Sequence, residues 1–152
     1  LLLTKGTTTV DINEEINTNY ILAYLCETPD GTVLQCKHRH DYHQHTDKVT
    51  GEIYMIDGLG YYTRSNVNVV PAEYTVVTLD TPHEFARHFV MWGTRGKSGD
   101  QPLKYISVAS METAHIEAIL DTQFRIAAEL REFLKRELNF RSNLQIVENN
   151  LV

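Results

Sequence analysis

The stretch NYILAYLCETPDGTVLQC, Asn19 to Cys36, sets the class of fold. Its first half, NYILAYLCE, is rich in the aromatic and branched apolar residues that favour strands. It runs into Thr28-Pro29-Asp30-Gly31, where proline presets one turn dihedral and glycine permits the left-handed one. TVLQCKHRH then returns as a second strand, so the segment reads as an antiparallel hairpin. A four-residue turn over Thr28 to Gly31 pairs Cys26 with Val33. In that register Cys26 and Cys36 do not face each other, and two reduced thiols are expected.

The chain on the C-terminal side continues the pattern. Asp47 to Gly51 forms a turn, EIYMID alternates, and Asp57-Gly58-Leu59-Gly60 leads into YYTRS as a further hairpin. Asn66 to Glu73, with Pro71, reads as a loop, and YTVVTLD as one more strand. The period then changes from two to about 3.6. Thr81-Pro82-His83-Glu84 has the form of a capping box, which predicts a helix running to Trp92 and stopped by Gly93. GTRGKSGDQP is a loop and LKYISV a short strand. Ser110 is placed to cap a second helix, METAHIEAIL. A third, from about Phe124 to Phe140, puts Ala127, Leu130, Leu134 and Leu138 on one stripe, with the pairs Glu132–Arg136 and Glu137–Arg141 on its wet side. The expected fold is α+β: an antiparallel sheet of about five to six strands covered by two to three helices. It forms one domain over 1–152, with 1–18 as an N-terminal arm or edge segment and 141–152 as a C-terminal tail.

Composition narrows the function classes. The 152 residues suffice for one domain with a real core, and 42% hydrophobic with 22% charged residues is a globular balance. A net charge of −6 repels a nucleic acid backbone, so no polymeric nucleic acid partner is expected. No run approaches the ~20 apolar residues of a membrane span. Leu1 to Thr9, LLLTKGTTT, is too short and wrongly flanked for a secretory signal, so a cytosolic protein with no membrane partner is expected.

The segment KHRHDYHQHTDK, Lys37 to Lys48, holds four of the chain's seven histidines. Imidazole is a common zinc ligand, and HxH puts two rings on one strand face. Strand parity argues the other way: His38 and His40 share one face and His43 and His45 the other, unless a turn intervenes near Asp41 and Tyr42. The segment is loosely similar to the HxHxDH motif of metallo-β-lactamase-like hydrolases, but Asp41 stands one place early. Neither HExxH nor paired CxxC occurs elsewhere. No metal and no cofactor are expected, and His38 and His43 are read as facing water.

A third reading gathers more of the chain. Arg39, Tyr42, His45, Tyr54, Tyr61, Tyr62 and Arg64 fall on neighbouring predicted strands, and Trp92, Thr94, Arg95, Gly96 and Lys97 follow the first predicted helix. Flat rings beside cations suit a ligand with purine faces and phosphates, because rings stack on bases and arginine pairs bidentately with phosphate oxygens.

HRHDYHQHTDKVTGEIYMIDGLGYYTRS, WGTRGKSGDQPLKYISVASM and HIEAILDTQ together resemble a family of small tailed-bacteriophage proteins. That family shares an HDY…HTD…YMxDG…YxR hairpin, a WGTxG loop, QPL and an HIxAIL helix. The resemblance spans about Lys37 to Gln123 and departs at Leu59, which stands where a second glycine is expected. It links the chain to anti-CBASS sponge proteins. These imply a tetramer that sequesters a cyclic dinucleotide signal in the cytoplasm of the infected host, without cleaving it. The expected ligand-binding set is Arg39, Tyr42, His45, Tyr62, Arg64, Trp92, Thr94 and Arg95, all but Tyr62 and Arg95 also standing at positions that match the family's motifs: arginines for phosphates, Tyr42, Tyr62 and Trp92 for stacking, His45 as a donor. The alternatives are a histidine- or metal-dependent phosphodiesterase acting on such a nucleotide, and a protein-binding inhibitor module.

Overall fold

The computed structural model describes residues 15–66 and 68–151. Most of the N-terminal arm expected over 1–18 lies outside them. Among the described residues the fold is the expected α+β, but its eight strands divide among three small antiparallel sheets instead of forming one sheet of five to six, and they are joined by three α-helices and a short 3-10 turn at Val108–Ser110. In the first sheet β1 (Ala23–Glu27) lies between β2 (Val33–Cys36) and β6 (Glu73–Val77). In the second, β4 (Ile53–Asp57) lies between β3 (Tyr42–Thr46) and the two-residue β5 (Arg64–Ser65). β7 (Met91–Thr94) and β8 (Lys104–Ser107) form a separate ribbon. The helices are α1 (His83–Ala86), α2 (Thr113–Thr122) and α3 (Ala128–Asn150).

β1 is buried on both faces, which is why its sequence is apolar at nearly every position rather than alternating. Ala23 and Leu25 join Val77, Val90, Ile116, Ile119, Phe133 and Leu134 in one core between the first sheet and the helices. Tyr24 and Cys26 join Leu34, Cys36, Tyr54 and Ile56 in a second core between the two three-stranded sheets. Both cysteines are free and buried, as the separation of their positions suggested. The register is one residue off the expected one. Cys26 pairs with Leu34, because the loop closes through the Thr28 amide donating to the Thr32 carbonyl and takes in a fifth residue.

The helical half differs from its sequence pattern in five places. The helix expected to reach Trp92 ends after a single turn, and Trp92 lies in β7, paired with Ile106 of β8. No capping box forms: Thr81 Oγ1 accepts the amide of Thr78 in a local turn, and Pro82 occupies the cap. Ser110 does not cap α2; its hydroxyl donates to the Ser107 carbonyl. α3 begins later than expected and continues to Asn150, so most of the expected tail is helix.

Glu137 is the fifth. It is fully buried rather than on the wet side of α3. It accepts from His83 Nε2 at 2.8 Å, Arg87 Nη2 at 2.6 Å and Arg141 Nε at 2.6 Å. Burial pushes the Glu137 carboxyl up, but hydrogen bonds from Arg87, Arg141 and His83 outweigh it and hold it at about 2. This cluster ties the single turn of α1 to α3, and Arg141 Nη2 extends it to the Val108 carbonyl.

Candidate functional site

The turn before β3 sets the geometry of the histidine segment. The Asp41 amide donates to the His38 carbonyl, and the Asp41 carboxylate accepts from the Lys37 amide at 2.8 Å, the Tyr42 amide at 3.0 Å and His43 Nε2 at 3.0 Å. Burial raises the Asp41 carboxyl, and the Lys37 amide with the His43 ring more than reverse it, leaving it below the usual range. The turn presents Arg39 at its tip, exposed, with no ion-pair partner among the described residues.

Arg39 lies where two cavities meet. The larger, about 570 Å³, is bounded by Glu15, Tyr20, Arg39, Tyr61, Arg125 and Glu129. Its size falls within the ~300–1,000 Å³ of small-molecule pockets. The smaller, about 230 Å³, shares Tyr20 and Arg39 and extends to Lys37, His38, Leu59, Gly93 and Tyr105. Together they form a groove bordered by three cations, Lys37, Arg39 and Arg125, two carboxylates, Glu15 and Glu129, and the rings of Tyr20, Tyr61, His38 and Tyr105. The Tyr20 and Tyr61 rings meet edge to face at 4.8 Å, and the His38 and Tyr105 rings stack at 5.8 Å.

Local sequence explains how these rings are placed. Ile21 and Gly60 exchange two backbone hydrogen bonds of 2.9 Å, which sets Tyr20 beside Tyr61. Gly60 has φ of 79°, and a Cβ there would stand 3.2 Å from the Tyr20 ring, so glycine suits both the dihedral and the contact. Leu59, where the resemblance to the phage proteins departs, packs its side chain against the second core and lines the smaller lobe. At the far wall is the start of α3, whose cap residue Ala127 supplies no side-chain hydrogen bond to the first helical amides. Burial raises the Tyr20 hydroxyl above its ordinary value, Glu129 and Tyr61 add to the rise, and Arg39 opposes it.

The other expected residues fall in three further places. Tyr42, Asp57 and Arg64 stand side by side across β3, β4 and β5, with Arg64 Nη2 on Asp57 Oδ2 at 2.9 Å. Tyr62 is exposed, near enough to Arg64 to help raise its guanidinium, after the larger effect of the Asp57 hydrogen bond. These residues form an outer row and do not line the groove. Thr94 borders a separate cavity of about 710 Å³ with Lys97, Lys104 and His115. Trp92 packs on the first core, and Arg95 is exposed in the loop, its carbonyl accepting the Gln101 amide.

His45 sits at the opposite end of β3 in a latch between two turns. Its Nε2 meets Asp30 Oδ2 at 2.7 Å, and Asp47 lies close enough for all three to be potential metal ligands. The oxygens are already engaged. Asp30 Oδ1 accepts from Thr28 Oγ1 and the Thr32 amide, and Asp30 Oδ2 also accepts from the Lys48 amide. Asp47 Oδ1 accepts the Asp30 amide at 2.7 Å, and its Oδ2 the amides of Val49 and Thr50. His45, then the Lys48 amide and Thr32, hold the Asp30 carboxyl well below the usual carboxylate range. A cation would displace several of these donors, so the arrangement is that of a turn lock.

Of the ligand-binding residues expected from the sequence only Arg39 lines the groove, and Tyr20, Tyr105, Arg125 and Glu129 were not singled out. Glu129 carried a signal: with Phe133 and Glu137 it repeats at four-residue intervals beside the Leu130–Leu134 stripe, and acids on an apolar face point to buried partners. Against known proteins, the chain matches no family model, no curated protein and no solved structure.

Proposed function

We propose that this chain binds a small nucleotide second messenger, a cyclic dinucleotide or a relative of one, and withholds it without cleaving it. The observation that carries the reading is the groove at Arg39, where two arginines and two tyrosine rings border one cavity, which shares Tyr20 and Arg39 with a second that holds a stacked histidine–tyrosine pair. Arginine supplies the donors that phosphate oxygens accept, and the rings supply faces for bases. Sequestration needs tight binding and abundance, not turnover, because it works by mass action.

The nucleophiles within the fold fit a binding role. Burial, reinforced by the nearby Asp41 charge, pushes the Cys36 thiol up to about 11, and burial raises Cys26 as well, so neither presents a thiolate near neutral pH. The resemblance to tailed-phage proteins supplies the context: an immune-evasion protein acting in the cytoplasm of the infected bacterium. It also supplies the assembly, a homotetramer in which a neighbouring copy covers the open side of the groove. Calorimetric titration with a panel of cyclic di- and trinucleotides tests the reading. Saturable binding near one ligand per groove is the expected result, and no heat from any member refutes it.

A further inference from the structure

α3 outruns the core. It is covered as far as Phe140, which lies against the His83 ring and under the Arg87 guanidinium, and Arg141, which donates to Thr113 Oγ1 at 2.9 Å. From Ser142 to Asn150 every residue is exposed. The protruding end is still amphipathic. Leu144, Val147 and Leu151, exposed to 47, 56 and 81%, continue the alternating four- and three-residue spacing of Phe133, Glu137 and Phe140. So short a helical segment is marginal on its own in water, and a row of apolar side chains along it needs a cover. Ser142 to Leu151 carries one charge, Glu148, and no base. A lipid surface selects lysine and arginine on the polar face, so it does not fit this helix end.

A fitting cover lies on the surface of the same chain. The cavity of about 710 Å³ between α2 and the β7–β8 ribbon has an apolar lining of Ile106, Met111, Ala114 and Ala118. Two alanines one turn apart on α2 leave room there for side chains from outside. Two cations, Lys97 and Lys104, border the cavity against one acid, Glu112, and neither lysine forms an ion pair among the described residues. Their charge complements Glu148. Because α3 is one continuous helix from Ala128 to Asn150, its end cannot turn back into its own groove. The Arg141–Thr113 contact nevertheless sets the root of that end beside the first turn of α2, which also lines the groove.

We infer that the exposed end of α3 docks into this groove on a second copy of the chain, each copy giving its helix end and receiving the other's. End and groove lie side by side, so a two-fold axis closes the exchange and no open fibre results. A stable interface buries about 1,200–2,000 Å² in total. Two helix ends paired only along their stripes would bury three apolar side chains from each copy, whereas the exchange buries two ends and two grooves. The pairing does not depend on nucleotide binding.

Sedimentation velocity on the full chain over a concentration series tests it, with Val147→Asp placed on the helix end and Ala118→Glu in the groove. Each variant should halve the mass of the assembly, with circular dichroism and Tm unchanged, since both positions are exposed. An equimolar mixture of the two should regain assembly, because the intact end of one variant still meets the intact groove of the other. A wild type that is monomeric at its highest soluble concentration overturns the inference. So does an Ala118→Glu protein of wild-type mass, the result expected if the stripes pair with each other, or a mixture that stays at the halved mass. Should either variant fail to fold, a charge swap decides: Glu148→Lys should weaken assembly and Lys104→Glu in the same chain should restore it, and no restoration overturns the inference. Nucleotide titration of the wild type succeeds or fails independently of all these outcomes.

Discussion

Replacing Arg39 by alanine separates the groove from every other surface on which rings and cations meet. Arg39 is exposed at the tip of the His38–Asp41 turn and makes no ion pair among the described residues. Its loss should therefore leave stability within about 0.5 kcal/mol, a shift in Tm of roughly 2 °C or less. Binding is another matter, because the side chain stands where the two lobes meet. A hydrogen bond to a charged group contributes about 1.5–3 kcal/mol. Exposure to solvent and salt favours the lower part of that range, so the expected loss of affinity for a cyclic dinucleotide is roughly 10- to 30-fold. Arg64→Ala is the matched control. Arg64 already pairs with Asp57 on the outer row, and its removal should change affinity by less than about threefold. Calorimetry on both variants at two salt concentrations measures the contrast, and the Arg39 deficit should shrink as salt rises. An affinity unchanged in Arg39→Ala but strongly reduced in Arg64→Ala would refute the assignment of the groove and move the site to the outer row.

Stability should depend on pH through Glu137. Its folded carboxyl lies at about 2 against an ordinary 4.5, so its contribution is present above about 4.5 and is lost as pH falls towards 2. The shift corresponds to roughly 3 kcal/mol, and urea unfolding between pH 5 and 2 should show that loss in the wild type and little of it in Glu137→Gln. His45→Ala should loosen the latch, seen as faster hydrogen exchange at the Lys48 amide that Asp30 holds, with nucleotide affinity unchanged. Metal analysis checks the same region: stoichiometric zinc that disappears in His45→Ala would show that Asp30, His45 and Asp47 form a metal centre rather than a lock. Gly58→Ala should destabilise the protein by about 1–3 kcal/mol in thermal melts, since φ is 91° and a Cβ would stand 2.4 Å from the Tyr62 carbonyl oxygen.

Local chemistry made the β half legible. The Asn19–Cys36 hairpin, the alternation of EIYMID and the turn at Asp57–Gly60 each depend on residues close in sequence, and each forms, the first with its register shifted by one residue. The helix expected from Thr81 to Trp92 failed for a tertiary reason. Met91 to Thr94 finds a full set of partners in Lys104 to Ser107, and strand pairing across that ribbon replaces the helical bonds that the 3.6-residue pattern implied. Glu137 and Arg141 form the expected pair at 2.6 Å. The i,i+4 spacing is the same for a wet pair and a buried one, however, and only the arrival of His83 and Arg87 from α1 decides between them. The groove was legible in kind and not in place. Rings and cations do border the groove, but Tyr20, Arg125 and Glu129 meet Arg39 only through the fold, with Asn17 bonded to an acid 112 residues away. His45 shows the converse: its neighbours in sequence suggested a ligand contact, whereas the side chain that engages it comes from the turn of the preceding hairpin.

Under the proposed function the protein holds a nucleotide signal without changing it. The most direct measurement incubates the purified chain with cyclic dinucleotides, removes unbound material, denatures the protein and identifies what is released by chromatography and mass spectrometry. The account predicts recovery of the intact cyclic compound, in amounts that match the bound protein and do not fall with longer incubation. Release of linear or cleaved nucleotide that grows with time would contradict it.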